Sequence, residues 1–350
     1  MTTFGRVTAP RPEWLARASP EKIVDPELPI IDTHHHLWPA TSASSRPKYE
    51  LEEYLADTAT GHKIIASVYV QARSAYRSFG PEPMRPVGET EWASGTAAMS
   101  ESGAFGPTRV AAGIVGYADL SAGDWVQPVL EAHIARGGGR FRGVRDPAAW
   151  DADPAVGLMR VSAPGRYLRD DFQQGFRRLT ALGLSLDAWC FFTQIPDVTV
   201  LARKFPTSNI ILGHFGGPLG YATYRNRRNE VFAQWRSSMT ELARSENVSV
   251  KLGGVMMRLA SFDYEEMDAP PTGRQLATAW GPYIETCLEL FGSSRCVVES
   301  NFPVDKVGIG YAAYFNGLKL ALGGLSPDEK LQVLSGTARR VYRLDPELTA

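Results

Sequence analysis

A single-domain (β/α)8 barrel is the fold class this chain predicts, on three observations. Short, nearly continuous apolar runs alternate with longer helical patterns eight times along the sequence, as strands buried on both faces would require. No glycine fingerprint for a phosphate follows an early run, which a doubly wound sheet would need; Gly137-Gly138-Gly139 precedes a run and reads as a helix end. Ionisable and amide side chains also gather where the runs stop, the catalytic rim of such a barrel.

The runs are Leu28 to Thr33, Ile64 to Gln71, Val110 to Tyr117, Phe141 to Arg145, Leu184 to Cys190, Ile210 to His214, Val248 to Leu252 and Cys296 to Ser300. Helices are expected between them, among others over 122–136, 170–182, 228–245 and 274–291. Residues 1–27 read as an N-terminal extension and 28–345 as the barrel. The segment 74–108, rich in Gly, Pro, Ser and Met, is long for a βα connection and predicts an insertion after strand two that forms a lid or pocket wall.

With 350 residues, 44% of them hydrophobic, and a net charge of -1, the chain can bury a large core and offers no basic patch for nucleic acid or anionic lipid. A small-molecule substrate is the expected partner, and a homo-oligomer is left open. Cys190, Cys287 and Cys296 stand singly in apolar stretches, so reduced core thiols and a cytoplasmic location are expected. The first residues carry no secretory apolar core, and no run reaches ~18 apolar residues, the length a membrane helix needs.

Three of the six histidines stand together in Ile31-Asp32-Thr33-His34-His35-His36-Leu37-Trp38. At a strand end, residues i and i+2 share a face, so His34 and His36 can converge while His35 points away as a structural residue. With His214, from Leu212-Gly213-His214-Phe215-Gly216-Gly217, they could present three neutral imidazoles to one Zn²⁺-like divalent ion and leave positions open for water. His62 and His133 lie away from strand ends and are read as surface or helix residues.

Arg142 and Arg145 are the expected carboxylate readers, since a guanidinium fork matches a carboxylate bidentately. Three apart on a strand they point to opposite sides, unless the strand ends at Gly143; either could instead pair with Asp146 or Asp187 as scaffold. Asp187 and Lys251 are placed in the substrate site, and a lysine inside a strand demands a partner or a task; its scaffold alternative is an ion pair with Asp187 or Glu299. Glu89 and Glu91 either face the substrate or serve their helix dipole. Tyr221, Tyr224, Arg225 and Arg227, after strand six, either close over the pocket or form a solvated loop.

These motifs, with Val70-Gln71-Ala72, Phe141-Arg142-Gly143-Val144-Arg145 and Ser300-Asn301-Phe302-Pro303-Val304-Asp305, resemble the amidohydrolase superfamily from about Leu28 to Leu344. Within it the likeness is to the TIM-barrel group of 2-pyrone-4,6-dicarboxylate lactonase and the sugar lactonases. The resemblance implies hydrolysis of a lactone or related ester, with His34, His36 and His214 in the site, Arg142 and Arg145 on a substrate carboxylate, and the strand-eight residue activating water. Some relatives in the group work without a metal, so the resemblance leaves metal-free catalysis open.

One position departs from the family. Where it normally carries an aspartate base, this chain has Asn301, which cannot accept the proton. Glu299 stands two residues earlier, where relatives usually have glycine, and is expected to supply the missing carboxylate as base or ligand; Asp305 is the second candidate. The sequence therefore predicts a hydrolase opening a carboxylated lactone or cyclic ester. The alternatives are a metal-dependent non-oxidative decarboxylase of an aromatic carboxylate, an amide hydrolase and, last, a binding protein without activity.

Overall fold

The computed structural model describes residues 9–40, 46–156, 163–257, 264, 267–346 and 348. The first eight residues of the predicted extension lie outside the described residues. Eight parallel strands follow one another in a single sheet: β1 (Ile30–His35), β2 (Ile64–Val70), β3 (Arg109–Gly116), β4 (Phe141–Val144), β5 (Ser185–Ala188), β6 (Asn209–Leu212), β7 (Val248–Leu252) and β8 (Cys296–Val298). The helices that follow them in turn are α1 (Leu51–Thr58), α2 (Val87–Glu101), α3 (Gln127–Arg136), α4 (Asp170–Ala181), α5 (Ile195–Lys204), α6 (Arg228–Ala243), α7 (Gly273–Phe291) and α8 (Tyr311–Ala321). This is the (β/α)8 barrel.

Local chemistry sets these elements. In α4, Phe172, Phe176 and Leu179 recur at helical spacing and are buried, while charged residues fill the opposite face. α7 opens on a capping box, in which Thr272 accepts from the Gln275 amide and Gln275 returns to the Thr272 amide. The long stretch after β2 contains α2 itself, preceded by a loop. The buried Glu89 carboxylate holds that loop, accepting from Tyr69 Oη at 2.7 Å and from the amides of Ala72 at 2.7 Å and Ser74 at 2.9 Å. Glu91 faces outward, paired with Arg77.

The core has two shells. Outside the sheet, residues such as Tyr54, Tyr69, Phe176 and Trp235 fill the space beneath the helices. Inside it, Ile31, Val68, Val115, Ile211 and Val297 meet Tyr342, Leu344 and Leu348, which arrive from the segment after the helix Thr337–Val341.

The barrel closes between β8 and β1 largely through side chains. The buried Asp32 carboxylate accepts from Ser300 N at 2.8 Å, Ser300 Oγ at 2.6 Å, and the hydroxyls of Tyr54 and Tyr311, each at 3.0 Å. Backbone bonds from Asn301 N to His34 O and from His36 N to Phe302 O, each 2.8 Å, complete the seam. His34, His36 and Asn301 are thereby fixed on adjacent strand ends.

His133 lies in helix α3, as one of the two expected readings has it, and is buried there between Thr90 Oγ1 and Tyr117 O, whereas His62, in the loop before β2, is buried rather than on the surface and bonds Ala312 O. Burial pushes each imidazole down to about 4. The unfolded chain therefore binds protons that the folded one refuses between about pH 6.5 and 4. Each histidine then costs up to about 1.4 kcal/mol per pH unit in that window. Because buried carboxyls pushed upward, such as Asp305 at about 8, act in the opposite direction, the test is a comparison: urea unfolding of the wild type is expected to lose more stability from pH 6.5 to 4 than that of His133→Gln, and equal slopes would contradict this account.

Candidate active site

The site is built on strand ends, and its centre is Glu299, just past β8. Its fully buried carboxylate lies between two imidazoles: Oε1 is 2.6 Å from His214 Nδ1 and 3.0 Å from the His214 amide, and Oε2 is 2.8 Å from His34 Nδ1. Burial alone would raise the Glu299 carboxyl, but the His214 ring and the Lys251 ammonium outweigh it and hold it below its ordinary value.

His214 needs that grip. The stretch His214, Phe215, Gly216, Gly217 runs through four left-handed residues, with φ of 52°, 55°, 69° and 59°. The two that are not glycine cost roughly 1–2 kcal/mol each, and Glu299 binds both the amide and the ring of the first. Gly254, after β7, stands so near that a Cβ there would run into His214 Nδ1. The Gly253-Gly254 pair was the overlooked sequence signal for this approach. Trp189 at the end of β5 meets the same ring edge-on at 4.8 Å.

Hydrogen-bond partners fix two of the tautomers: His214 Nδ1 faces Glu299 Oε1 at 2.6 Å and His36 Nδ1 lies 2.7 Å from Val70 O, which only an N–H can satisfy. His34 Nδ1 stands between Glu299 Oε2 at 2.8 Å and Lys251 Nζ at 3.5 Å, and its Nε2 is 3.2 Å from both His36 Nε2 and Arg145 Nη1. His214 Nε2 makes no hydrogen bond among the described residues. Burial and the surrounding cations keep His34 well below the usual histidine range, so its ring is neutral at pH 7.

These donors fit a divalent ion. Ligand atoms of His34, His214 and Glu299 lie within 4.8 Å of one another, and Glu299 Oε2 is buried without a well-aligned donor. That trio differs from the expected one, because His36 reaches His34 rather than His214. The facing Nε2 atoms of His34 and His36 have the spacing of two nitrogens sharing an ion at ~2.1 Å.

Below the histidines, Lys251 is fully buried. Its Nζ is 2.8 Å from Asp187 Oδ2, 2.8 Å from Thr33 O, 3.5 Å from His34 Nδ1 and 3.8 Å from Glu299 Oε2. Both alternatives foreseen for Lys251 thus hold at once, with Asp187 the nearer partner, so Asp187 and Lys251 form the layer beneath the site.

The two arginines part company. Arg145, at the exit of β4, donates to Gln71 O and faces His34, and no carboxylate of the described residues lies within ion-pair reach of it. Arg142 does not reach the site. It sits where β4 begins, at the opposite mouth of the barrel, with Nη1 2.7 Å from Gly139 O and Leu344 nearby. The strand runs on through Gly143 and Val144, so the two side chains leave by opposite ends. Asp146 pairs with Arg166 instead of either.

Asn301 adopts a left-handed φ of 56° and donates from Nδ2 to Asp305 Oδ1 at 2.8 Å. Asp305 is fully buried, accepts also from Met256 N at 2.9 Å, and is pushed up to about 8 by burial. It ties two loops and offers no charged oxygen for water at neutral pH. His35 turns away from the site and stacks on Tyr54 at 4.1 Å. The loops after β4 and β6 are laced together over the rim: Tyr224 Oη donates to Asp151 Oδ2 at 2.7 Å, and Tyr221 and Thr223 bond Val156 O and Asp153. Arg227 pairs with Glu230.

Histidines, a carboxylate and a guanidinium without an ion-pair partner among the described residues gather at the exit rim of a (β/α)8 barrel, where such folds carry their active sites. The chain belongs to the amidohydrolase family, whose model (Amidohydro_2) matches residues 31–344, and it is a hydrolase of that superfamily. It is 30% identical to the y4mH protein of Sinorhizobium fredii over 91% of this chain and 99% of that one. It is 25% identical to L-fucono-1,5-lactonase of Burkholderia ambifaria over 90% of this chain and 96% of the lactonase. A zinc-bound amidohydrolase from Burkholderia multivorans shares the fold with a TM-score of 0.66, at 24% identity over 90% of this chain and 99% of that one.

The arginines give a paired expectation. Arg145→Ala should weaken binding of a carboxylate-bearing substrate by roughly 1.5–3 kcal/mol, the worth of charge-assisted bonds, without rescue by Arg145→Lys. Arg142→Ala should leave KM unchanged. A KM effect confined to Arg142 would reverse the assignment.

Proposed function

We propose that the protein opens a lactone or related cyclic ester of a small, carboxylated substrate by attack of an activated water. The observation that carries this reading is the Glu299 bridge, which leaves His214 Nε2 without a hydrogen-bond partner among the described residues, its ring 4.6 Å from that of His34, which in turn faces Arg145. Arg145 receives the substrate's negative oxygen, first a carboxylate or carbonyl and then the charge that develops as water adds. His214 Nε2 takes the proton from that water while Glu299 stabilises the imidazolium, and the same nitrogen returns the proton to the ring oxygen as the C–O bond breaks. Glu299 thus works through the imidazoles rather than as the base itself.

A divalent ion, zinc by preference of the imidazoles, would be held by His34 and His36, with Glu299 behind His34 and Val70 O behind His36. When bound it supplies Lewis acidity and a more acidic water. The same proposal takes a small molecule as the partner and the cytoplasm as the location, on the net charge of -1 and three free, buried cysteines. No described helix is long and apolar enough to cross a membrane.

The test is a panel of sugar 1,5-lactones and a carboxylated pyrone lactone, followed by acid release, beside aromatic carboxylates followed by CO₂ release. Acid release from a lactone is expected. His214→Ala and Glu299→Gln should each lower kcat by roughly 10²-fold or more, the scale of a lost general base. Carbon dioxide without acid release would transfer the protein to the decarboxylases.

A further inference from the structure

We infer that Tyr342, which reaches into the barrel from the mouth opposite the active site, is a positioning residue for the catalytic histidines. The inference rests on reading His34, His214 and Glu299 as the active site. Tyr342 follows the helix Thr337–Val341 and is completely buried among Ile31, Val68 and Val297. Its placement is set from both sides. Asn209 at the start of β6 bonds Val341 O at 2.7 Å, and the chain then turns through Arg343 at a left-handed φ of 47°, which drives Leu344 in beside Gly113.

The Tyr342 hydroxyl donates to Asp187 Oδ2 at 2.8 Å, the same oxygen that Lys251 Nζ occupies at 2.8 Å. Asp187 Oδ1 has no hydrogen-bond partner among the described residues, so there this shared oxygen orients the carboxylate. The Tyr342 ring also lies 5.4 Å from Nζ, within cation–π range. One side chain therefore holds both members of the buried pair, the anion by its hydroxyl and the cation by its face.

What the pair holds in turn is the histidine layer. Lys251 Nζ bonds Thr33 O, next to His34, and stands 3.5 Å from His34 Nδ1 and 3.8 Å from Glu299 Oε2. If Asp187 is free to rotate, Lys251 follows it, and the ammonium moves relative to the carboxylate that bridges the two imidazoles. A residue at the barrel floor thus acts on the rim through three buried charges, Asp187, Lys251 and Glu299.

The experiment compares the purified full chain, labelled with ¹⁵N-histidine, as wild type, Tyr342→Phe, Leu344→Ala, Asp187→Asn and the double variant Tyr342→Phe/Asp187→Asn. Tyr342→Phe keeps the ring and its packing, so the fold is retained. Leu344→Ala weakens the same floor without touching the charges. Tyr342→Phe is expected to move the ring ¹⁵N signals of His34 while Leu344→Ala leaves them in place, and the double variant should move them no further than Asp187→Asn alone. On any lactone that is turned over, kcat should fall roughly tenfold in Tyr342→Phe with KM within about twofold, as for other outer-shell partners. Unmoved His34 signals in Tyr342→Phe, equal movement in Leu344→Ala, or additive movement in the double variant would each overturn the inference. The spectra need no substrate, so failure of the lactonase reading registers separately, as absent turnover with the expected spectra.

Discussion

Everything at the catalytic rim depends on one buried carboxylate. Glu299 has no exposed surface, and an isolated carboxylate in such a place would cost several kcal/mol. It is held there by His214, His34 and Lys251, and it holds them in return: a strained left-handed turn after β6, a ring at the end of β1 and an ammonium inside β7 all converge on it. Removing it would strand a lysine and release a histidine whose backbone conformation is unfavourable by itself. Function and local stability are therefore coupled at this residue.

The charge arrangement around it is nearly closed. Lys251 and Arg145 stand against Asp187 and Glu299, but Lys251 is within ion-pair reach of both carboxylates and Arg145 of neither. Burial lowers the Arg145 guanidinium from its usual range, with Asp187, Glu89 and Glu299 opposing the shift from a distance. Such a cation gains most from an anionic group that arrives from solution. The substitution of Asn301 for the family aspartate fits the same pattern, since a further carboxylate beside Glu299 would raise one of the two. In this chain Asn301 instead neutralises a contact to Asp305 and sets the left-handed turn that ends the barrel seam.

Much of this was legible in the sequence, and the reasons differ by residue. The eight runs became strands because parallel strands buried on both faces leave an unmistakable apolar signature. His34 and His36 were legible from i, i+2 spacing, and Glu299 from a carboxylate appearing where the family lacks one. The role of Arg142 was misread because position along a strand, entry or exit, depends on where pairing begins, which no local pattern encodes. His62 was misplaced because a buried loop histidine with one oxygen partner looks, in sequence, like any exposed one. That His34 meets Glu299 and His214 as well as His36, while His36 does not reach His214, depends on barrel curvature. Asp32 and Tyr342 act across 268 and 155 residues of chain separation, so only the closed barrel reveals what they touch.

The most direct test of the account is the protonation pattern of the three rim histidines in the wild-type protein at pH 7.5, read from ¹⁵N ring shifts and their couplings to carbon-bound protons. If Glu299 and Val70 O hold the rings, then His214 and His36 each carry a proton on Nδ1. A His214 ring whose Nδ1 lacks its proton would contradict the central role given to Glu299.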